Sequence, residues 1–130
     1  MNIEKKDLPQ KMLQKWGATT LQEYWTNVPN ILLTHQAVLR LSNTELVLLI
    51  NLMSYEHDFN SPIYPSIATL AERQGLHERS IQRAINRLIQ KGMLEKLVRA
   101  KHPEQKGVTN IYSISPLKRK LEDLAKNLNS

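Results

Sequence analysis

The segment that most constrains the fold of this 130-residue chain is residues 67–91, because its sequence pattern predicts two short helices joined by one tight turn. Gly75 stands between two apolar patterns, at a point where the backbone needs the positive φ that glycine adopts without strain. After it, apolar residues recur at intervals of three and four, the spacing of one buried helix face. These residues are Ile81, Ala84, Ile85, Leu88 and Ile89. The segment therefore predicts a helix over about 78–91 that packs on a preceding helix.

The opposite face of this second helix is polar and cationic, and it is the main candidate binding surface. Arginine can offer two parallel donors to guanine, and glutamine or asparagine can pair with adenine in the same bidentate way. An ordinary solvated helix face has a similar composition, so the pattern alone leaves both interpretations open. The predicted outward-facing residues are Arg79, Gln82, Arg83 and Asn86, with Ser80 and Arg87 beside them.

The positive charge of the chain is concentrated near this helix. The whole chain has 18 basic and 12 acidic residues, a formal net charge of +6. Residues 77–106 contain eight basic and three acidic residues, a net charge of +5, so the other residues are nearly neutral as a group. A positive field concentrated in this way favours a polyanionic partner such as nucleic acid.

Two short segments with β-favourable residues follow the helix pair. Residues 93–99 and 108–114 carry β-branched, aromatic and leucine side chains in partial alternation, which predicts two strands of a β-hairpin. The loop between them spans residues 100–107 and is basic. Its candidate DNA-binding residues are Lys101, His102 and Lys106. With this hairpin, the chain resembles the winged helix-turn-helix family.

The resemblance extends upstream, to the helix-turn-helix domain of plasmid replication initiators and of phage and mobile-element regulators. Residues 28–33, 41–49 and 64–71 carry it. In that group a strand with the pattern Pro-Asn-x-Leu-Leu leads into a helix, and a Pro-Ser-Ile-x-x-Leu-Ala helix leads into a recognition helix that ends in a strand similar to Gly-Met-Leu-Glu-Lys. The resemblance covers residues 28–99 and implies a mainly α fold with a small antiparallel β-wing.

Serine residues predict where two helices begin. Ser42 and Glu45 have the spacing of a capping box, which predicts a helix over about 43–56. Ser66 is placed to cap the next helix, although its hydroxyl and the first free amides of that helix could instead hold a DNA phosphate. His77 precedes the recognition helix, where serine or threonine would be a better cap.

The chain is predicted to have a central domain with a helical addition at each end. A helical arm is predicted for residues 1–27, and the winged helix-turn-helix DNA-binding domain is predicted for residues 28–115. A C-terminal helix is predicted for residues 116–130. Leucines in this last helix recur at intervals of four, three and four, so they need an apolar partner. Either the region of Leu48 and Leu52 or a second copy of the chain supplies it, and we expect a homodimer. The leucines assigned to dimerisation are Leu117, Leu121, Leu124 and Leu128.

Composition argues against several other classes of protein. The chain has no cysteine, which excludes disulfides and thiolate metal sites. Its four histidines lack metal-binding spacing, and its four glycines build no phosphate-binding loop. No apolar run approaches the roughly 20 residues of a membrane span. We therefore expect a cytoplasmic, nucleoid-associated protein that is not an enzyme and uses no cofactor, metal or small-molecule ligand.

These features predict a sequence-specific protein that binds double-stranded DNA, as a transcriptional regulator or as a plasmid or mobile-element replication-origin binder. The helix over about 78–91 would enter the major groove and contact base edges. The residues expected to hold phosphates are Ser66, Thr69, Arg87, Lys91 and Lys101, with His102 and Lys106 touching the backbone or the minor groove. The alternative is an adaptor whose winged helix binds protein in a replication or secretion assembly. Salt-dependent affinity for duplex DNA would distinguish the two functions.

Overall fold

Six α-helices and two short β-strands make up the part of the chain that the computed structural model describes, which is residues 9–57, 63–97 and 110–129. In chain order the elements are α1 (Gln10–Trp16), a 3₁₀ helix (Thr20–Glu23), α2 (Asn30–Thr34), α3 (Asn43–Met53), α4 (Ile67–Gln74), α5 (Glu78–Gln90), β1 (Glu95–Leu97), β2 (Ile111–Ser113) and α6 (Ser115–Leu128). This architecture confirms the prediction of a mainly helical fold with a small antiparallel sheet.

Two helices begin at the serines that the sequence marks as caps. At α3, the Ser42 hydroxyl accepts a hydrogen bond from the Glu45 backbone N–H (3.1 Å), and the Glu45 carboxylate accepts one from the Ser42 N–H (2.8 Å). At α4, the Ser66 hydroxyl accepts from the Thr69 N–H (3.0 Å). His77 provides no side-chain cap for α5. Both predicted serine caps are therefore confirmed, whereas α3 ends at Met53 rather than at residue 56.

The Ser66 cap allows a direct test. Ser66→Ala is expected to lower the free energy of unfolding by about 1 kcal/mol, because it leaves the Thr69 N–H without its acceptor. Urea denaturation followed by circular dichroism measures the change. Ser66→Asn is the control, since asparagine caps about as well as serine. An equal loss in both variants would contradict the capping role.

A three-residue turn joins α4 to α5, and Gly75 gives it its shape. Gly75 has φ 65° and ψ 35°, the left-handed conformation, and the following Leu76 N–H donates to the Ala71 carbonyl (3.0 Å). A Cβ at Gly75 would meet no atom of the described residues within 4 Å, so the backbone conformation, and not lack of space, favours glycine there. The turn lets α4 pack against α5, and α3 packs against both helices.

The core lies among these three helices and α6, and leucine dominates it. Leu48, Leu49 and Leu52 of α3 are completely buried. From α5, the predicted apolar face is buried at four of its five positions, and Ile89 is only partly buried. The four buried residues are Ile81, Ala84, Ile85 and Leu88.

The two strands pair antiparallel, with Lys96 opposite Tyr112 at the centre of the register. Ile63 extends this sheet by an isolated antiparallel bridge, in which the Tyr112 N–H donates to the Ile63 carbonyl (2.6 Å). The predicted hairpin is thus present in its paired strands. The connecting loop, with Lys101, His102 and Lys106, lies outside the described residues.

The strand predicted within residues 28–33 is wrong, because these residues form α2. The Leu32 N–H donates to the Pro29 carbonyl (3.1 Å), which closes the first turn of the helix. Leu32 is buried in the core whereas Leu33 is exposed. An apolar run this short has no periodicity that separates a strand from a buried helical turn.

The leucines of α6 divide between the core and the surface. Leu117 and Leu121 are buried in the core cluster that contains Leu48 and Leu52, and α6 packs against α2. The assignment of these two leucines to a dimer seam is therefore corrected, because their apolar partner is the chain itself. Leu124 is partly buried and Leu128 is 55% exposed, so the homodimer prediction now depends on the C-terminal half of α6.

Candidate nucleic-acid interface

The buried face of α5 turns four polar side chains outward. Arg79, Gln82, Arg83 and Asn86 are all exposed, and we call them the α5 outer face. Within the described part of the chain, none of the four forms a hydrogen bond or an ion pair. Ser80, which was predicted beside them, is half-buried. The α5 outer face therefore has two guanidinium groups and two amides available to a partner.

Arg87, further along α5, and Lys91, which follows its last residue, are both paired with a buried carboxylate. The Arg87 Nε donates to Glu45 Oε2 (3.0 Å), and the Lys91 Nζ donates to Glu45 Oε1 (2.7 Å). The Glu45 side chain is only 1% exposed. Lys91 also donates to the Arg40 carbonyl (2.5 Å). The predicted phosphate-binding role of Arg87 and Lys91 thus competes with an ion pair inside the protein.

The Glu45 carboxylate is ionised in this setting. Burial alone would raise its pKa, but hydrogen bonds from Lys91, from the Ser42 backbone and from Arg87 outweigh burial and lower the pKa from 4.5 to about 2. One carboxylate therefore faces two cations at neutral pH. The cluster keeps a positive charge, while its geometry fixes α5 to the first turn of α3.

The start of α4 presents two hydroxyls. Besides capping the helix, the Ser66 hydroxyl donates to Thr69 Oγ1 (2.9 Å). Ser66 is exposed and Thr69 is half-exposed. Because a threonine hydroxyl has one donor besides its lone pairs, Thr69 can still donate to an acceptor from outside.

The structure thus brings the described candidate residues together on α5 and at the start of α4, two helices that pack on each other. Among the described residues, no group of three or more histidine, aspartate or glutamate side chains is placed to hold a metal ion. The described helices are all too short or too polar to cross a membrane.

Sequence reasoning missed the organising role of Glu45. Its capping box is a local signal over three residues, whereas its ion-pair partners lie 42 and 46 positions further along the chain. The capping box gives Glu45 a complete local explanation, so nothing in the sequence pattern indicates the second role. Arg40 was also missed, since it lies outside the predicted helices.

Comparison with known proteins relates most of the chain to one family. Residues 28–130 match the family model described as the DnaD N-terminal domain. The crystal structure of the N-terminal domain of DnaD protein from Geobacillus kaustophilus HTA426 shares 30% sequence identity with the chain, and the alignment covers 93% of this chain and 94% of that chain with a TM-score of 0.60. No curated protein matches the chain significantly.

Proposed function

The chain belongs to the family of DnaD N-terminal domains, which are domains of replication-initiation proteins, and from this premise we propose that it binds double-stranded DNA during replication initiation. The fold proposed for this activity is a winged helix-turn-helix in which α4 and α5 are the helix pair, β1 and β2 form the wing, and α5 enters the major groove. Of the two roles expected from the sequence, the family favours origin binding over transcriptional regulation.

The observation that supports this proposal best is the α5 outer face. Its side chains have no hydrogen bond or ion pair within the described chain that DNA binding would have to break, and arginine and amide groups match the base edges of the major groove. Ser66 and Thr69 would position phosphates at the start of α4. Arg87 and Lys91 would contribute long-range attraction more than direct contacts, because Glu45 already holds them.

The test of this function is duplex binding as a function of salt. A fluorescein-labelled duplex, first selected from a random pool, is titrated with the chain and followed by anisotropy. We expect log affinity to fall linearly with log salt concentration, with a slope of about −0.9 for each phosphate contact. No measurable duplex affinity at physiological ionic strength would overturn the proposal. It would leave the protein-binding adaptor as the better function.

Arg83 provides the sharpest mutational test of base recognition. Arg83→Ala is expected to weaken binding to the selected duplex by about 1–3 kcal/mol and to narrow its advantage over random duplex, because a bidentate base contact is lost. Lys101→Ala in the loop is expected to weaken all sequences alike. Both effects are measured by anisotropy on the selected and the random duplex.

The matched control for Arg83→Ala is Arg119→Ala, which removes the same charge from an exposed position on α6. We expect it to lower the affinity for both duplexes only slightly and equally. If Arg83→Ala weakened the selected and the random duplex by the same factor, Arg83 would be a phosphate ligand and not a base contact.

The remaining parts of the proposal follow from this activity. The chain would work without catalysis or a cofactor, and it would act in the cytoplasm at the nucleoid, where the DNA is. A homodimer would place two α5 helices about 34 Å apart on a two-fold symmetric site. The surface available for such a dimer on α6 is its C-terminal end, where Leu128 is exposed.

A further inference from the structure

A second surface differs in composition from the α5 outer face, because it combines an apolar floor with a cationic rim. It is an open recess of about 460 Å³ between α6, the end of α5 and the turn before α3, and we call it the α6 recess. Its volume falls within the range of about 300–1,000 Å³ that is usual for ligand pockets. The residues that line it are Val38, Leu39, Arg40, Lys91, Met93, Lys120, Asp123, Leu124 and Asn127.

The floor of the α6 recess is apolar and continuous with the core. Leu39 and Met93 are buried core residues, and Leu124 is partly buried against the core cluster to which they belong. Val38 stands at the edge and is 67% exposed, more than any other large hydrophobic residue among those described. An apolar side chain of a partner that packs on this floor beside Val38 is removed from water, which stabilises the complex.

Three basic residues, Arg40, Lys91 and Lys120, line the rim of the recess. The Lys120 Nζ donates to the Lys91 carbonyl (2.9 Å), and the Lys91 Nζ donates to the Arg40 carbonyl (2.5 Å), so backbone oxygens hold both ammonium groups at the rim. Against them stand the buried Glu45, which is shared with Arg87, and one acidic lining residue, Asp123. The rim is therefore positive overall, and it complements an acidic partner.

We propose that the α6 recess binds a short acidic segment of a partner protein, with one or two apolar side chains of that segment on the floor and its carboxylates against Arg40 and Lys120. The apolar floor favours a peptide over a DNA backbone, which offers phosphates but no aliphatic anchor. The positive rim favours an acidic partner over the first half of α6 from a second copy, whose charged residues, Lys118, Arg119 and Lys120, are all basic. This inference does not depend on DNA binding by α5.

The experiment selects binders from a random peptide library displayed on phage, with the folded chain as the target. Enriched peptides are synthesised with a fluorescein label and titrated against four variants. Val38→Asp and Lys120→Glu alter the recess, while Val47→Asp and Arg119→Glu place the same changes at exposed positions outside its lining. Circular dichroism confirms that each variant is folded.

We expect the enriched peptides to combine aspartate or glutamate with large apolar residues. Their affinity should fall at least about tenfold in Val38→Asp and in Lys120→Glu, as for contacts at the centre of an interface, and should change little in the two control variants. Raising the salt concentration should weaken binding less steeply than it weakens duplex binding, because fewer counterions are released.

Three results would overturn the proposal. Failure to enrich any peptide that depends on Val38 and Lys120 would show that the recess does not bind acidic segments. Loss of duplex affinity in Lys120→Glu, without loss in Val38→Asp and with the peptides displaced by duplex, would assign the rim to DNA. Conversion of a dimer to a monomer by Val38→Asp, seen by sedimentation, would make the recess a contact between copies.

Discussion

Replacing Glu45 with glutamine is expected to lower the free energy of unfolding at neutral pH by about 2–3 kcal/mol. The shift of the Glu45 pKa from 4.5 to about 2 corresponds to about 3 kcal/mol in favour of the ionised form in the folded state. The expected loss is somewhat smaller, because solvent at the partly exposed Arg87 and Lys91 screens the two ion pairs. Glutamine keeps an acceptor for the Ser42 N–H but cannot pair with two cations. Urea denaturation at about pH 7, followed by circular dichroism, measures the loss.

The pH dependence identifies the charge as the cause. Because folding lowers the Glu45 pKa, its contribution is fully present above the unfolded-state value of 4.5 and is lost as the pH falls through about 2. The difference in stability between the natural chain and Glu45→Gln should therefore shrink as the pH is lowered from about 5 to about 2. A constant difference over this range would mean that shape or hydrogen bonding, and not ionisation, accounts for the effect.

An exposed ion pair supplies the control for this measurement. Glu122 and Lys126 lie one turn apart on α6 with their charged atoms 3.3 Å from each other, and both side chains are about 70% exposed. Glu122→Gln removes the same charge as Glu45→Gln, but we expect it to change the stability by less than about 0.5 kcal/mol. The contrast separates the buried cluster from a general effect of net charge.

Glu45 also shows which parts of this protein its sequence can predict. The α5 outer face was predictable because the apolar residues from Ile81 to Leu88 repeat with the helical period. This repeat fixes which side of the helix each residue between them faces. Whether an outward arginine is available is a different question. Arg83 and Arg87 stand one turn apart and look equivalent in sequence. Among the described residues, however, only Arg87 of the two reaches a carboxylate, and that carboxylate comes from α3.

Local signals succeeded where the cause of the structure is local. The capping box at Ser42, the cap at Ser66 and the left-handed Gly75 depend on interactions within a few residues, and all three were predicted. The segment 28–33 failed because its helical form depends on burial of Leu32 against distant parts of the core. Tertiary contacts determine the helical form of this segment, and they cannot be predicted from a short apolar run alone.

Leu117→Ala is expected to lower the free energy of unfolding by about 2–5 kcal/mol, because it leaves a cavity in the core. Leu117 is 1% exposed and belongs to the cluster built around α3. The loss should be the same at every protein concentration, since the contacts of Leu117 lie within one chain. Urea denaturation at protein concentrations that differ about a hundredfold tests both points, because the stability of a dimer depends on concentration.

Leu128 provides the matched variant on the same helix. The sequence pattern assigns both leucines to dimerisation, whereas the structure buries Leu117 and exposes Leu128. Leu128 is 55% exposed, so Leu128→Ala should change the stability of the single chain by less than about 0.5 kcal/mol. If the C-terminal half of α6 forms the homodimer, the same change should shift the sedimentation of the protein toward the monomer. If both variants instead lost the same amount of stability, and if that loss depended on protein concentration, the two leucines would act together in a contact between chains. Burial of Leu117 in the core of a single chain would then not be the main reason that Leu117 stabilises the protein.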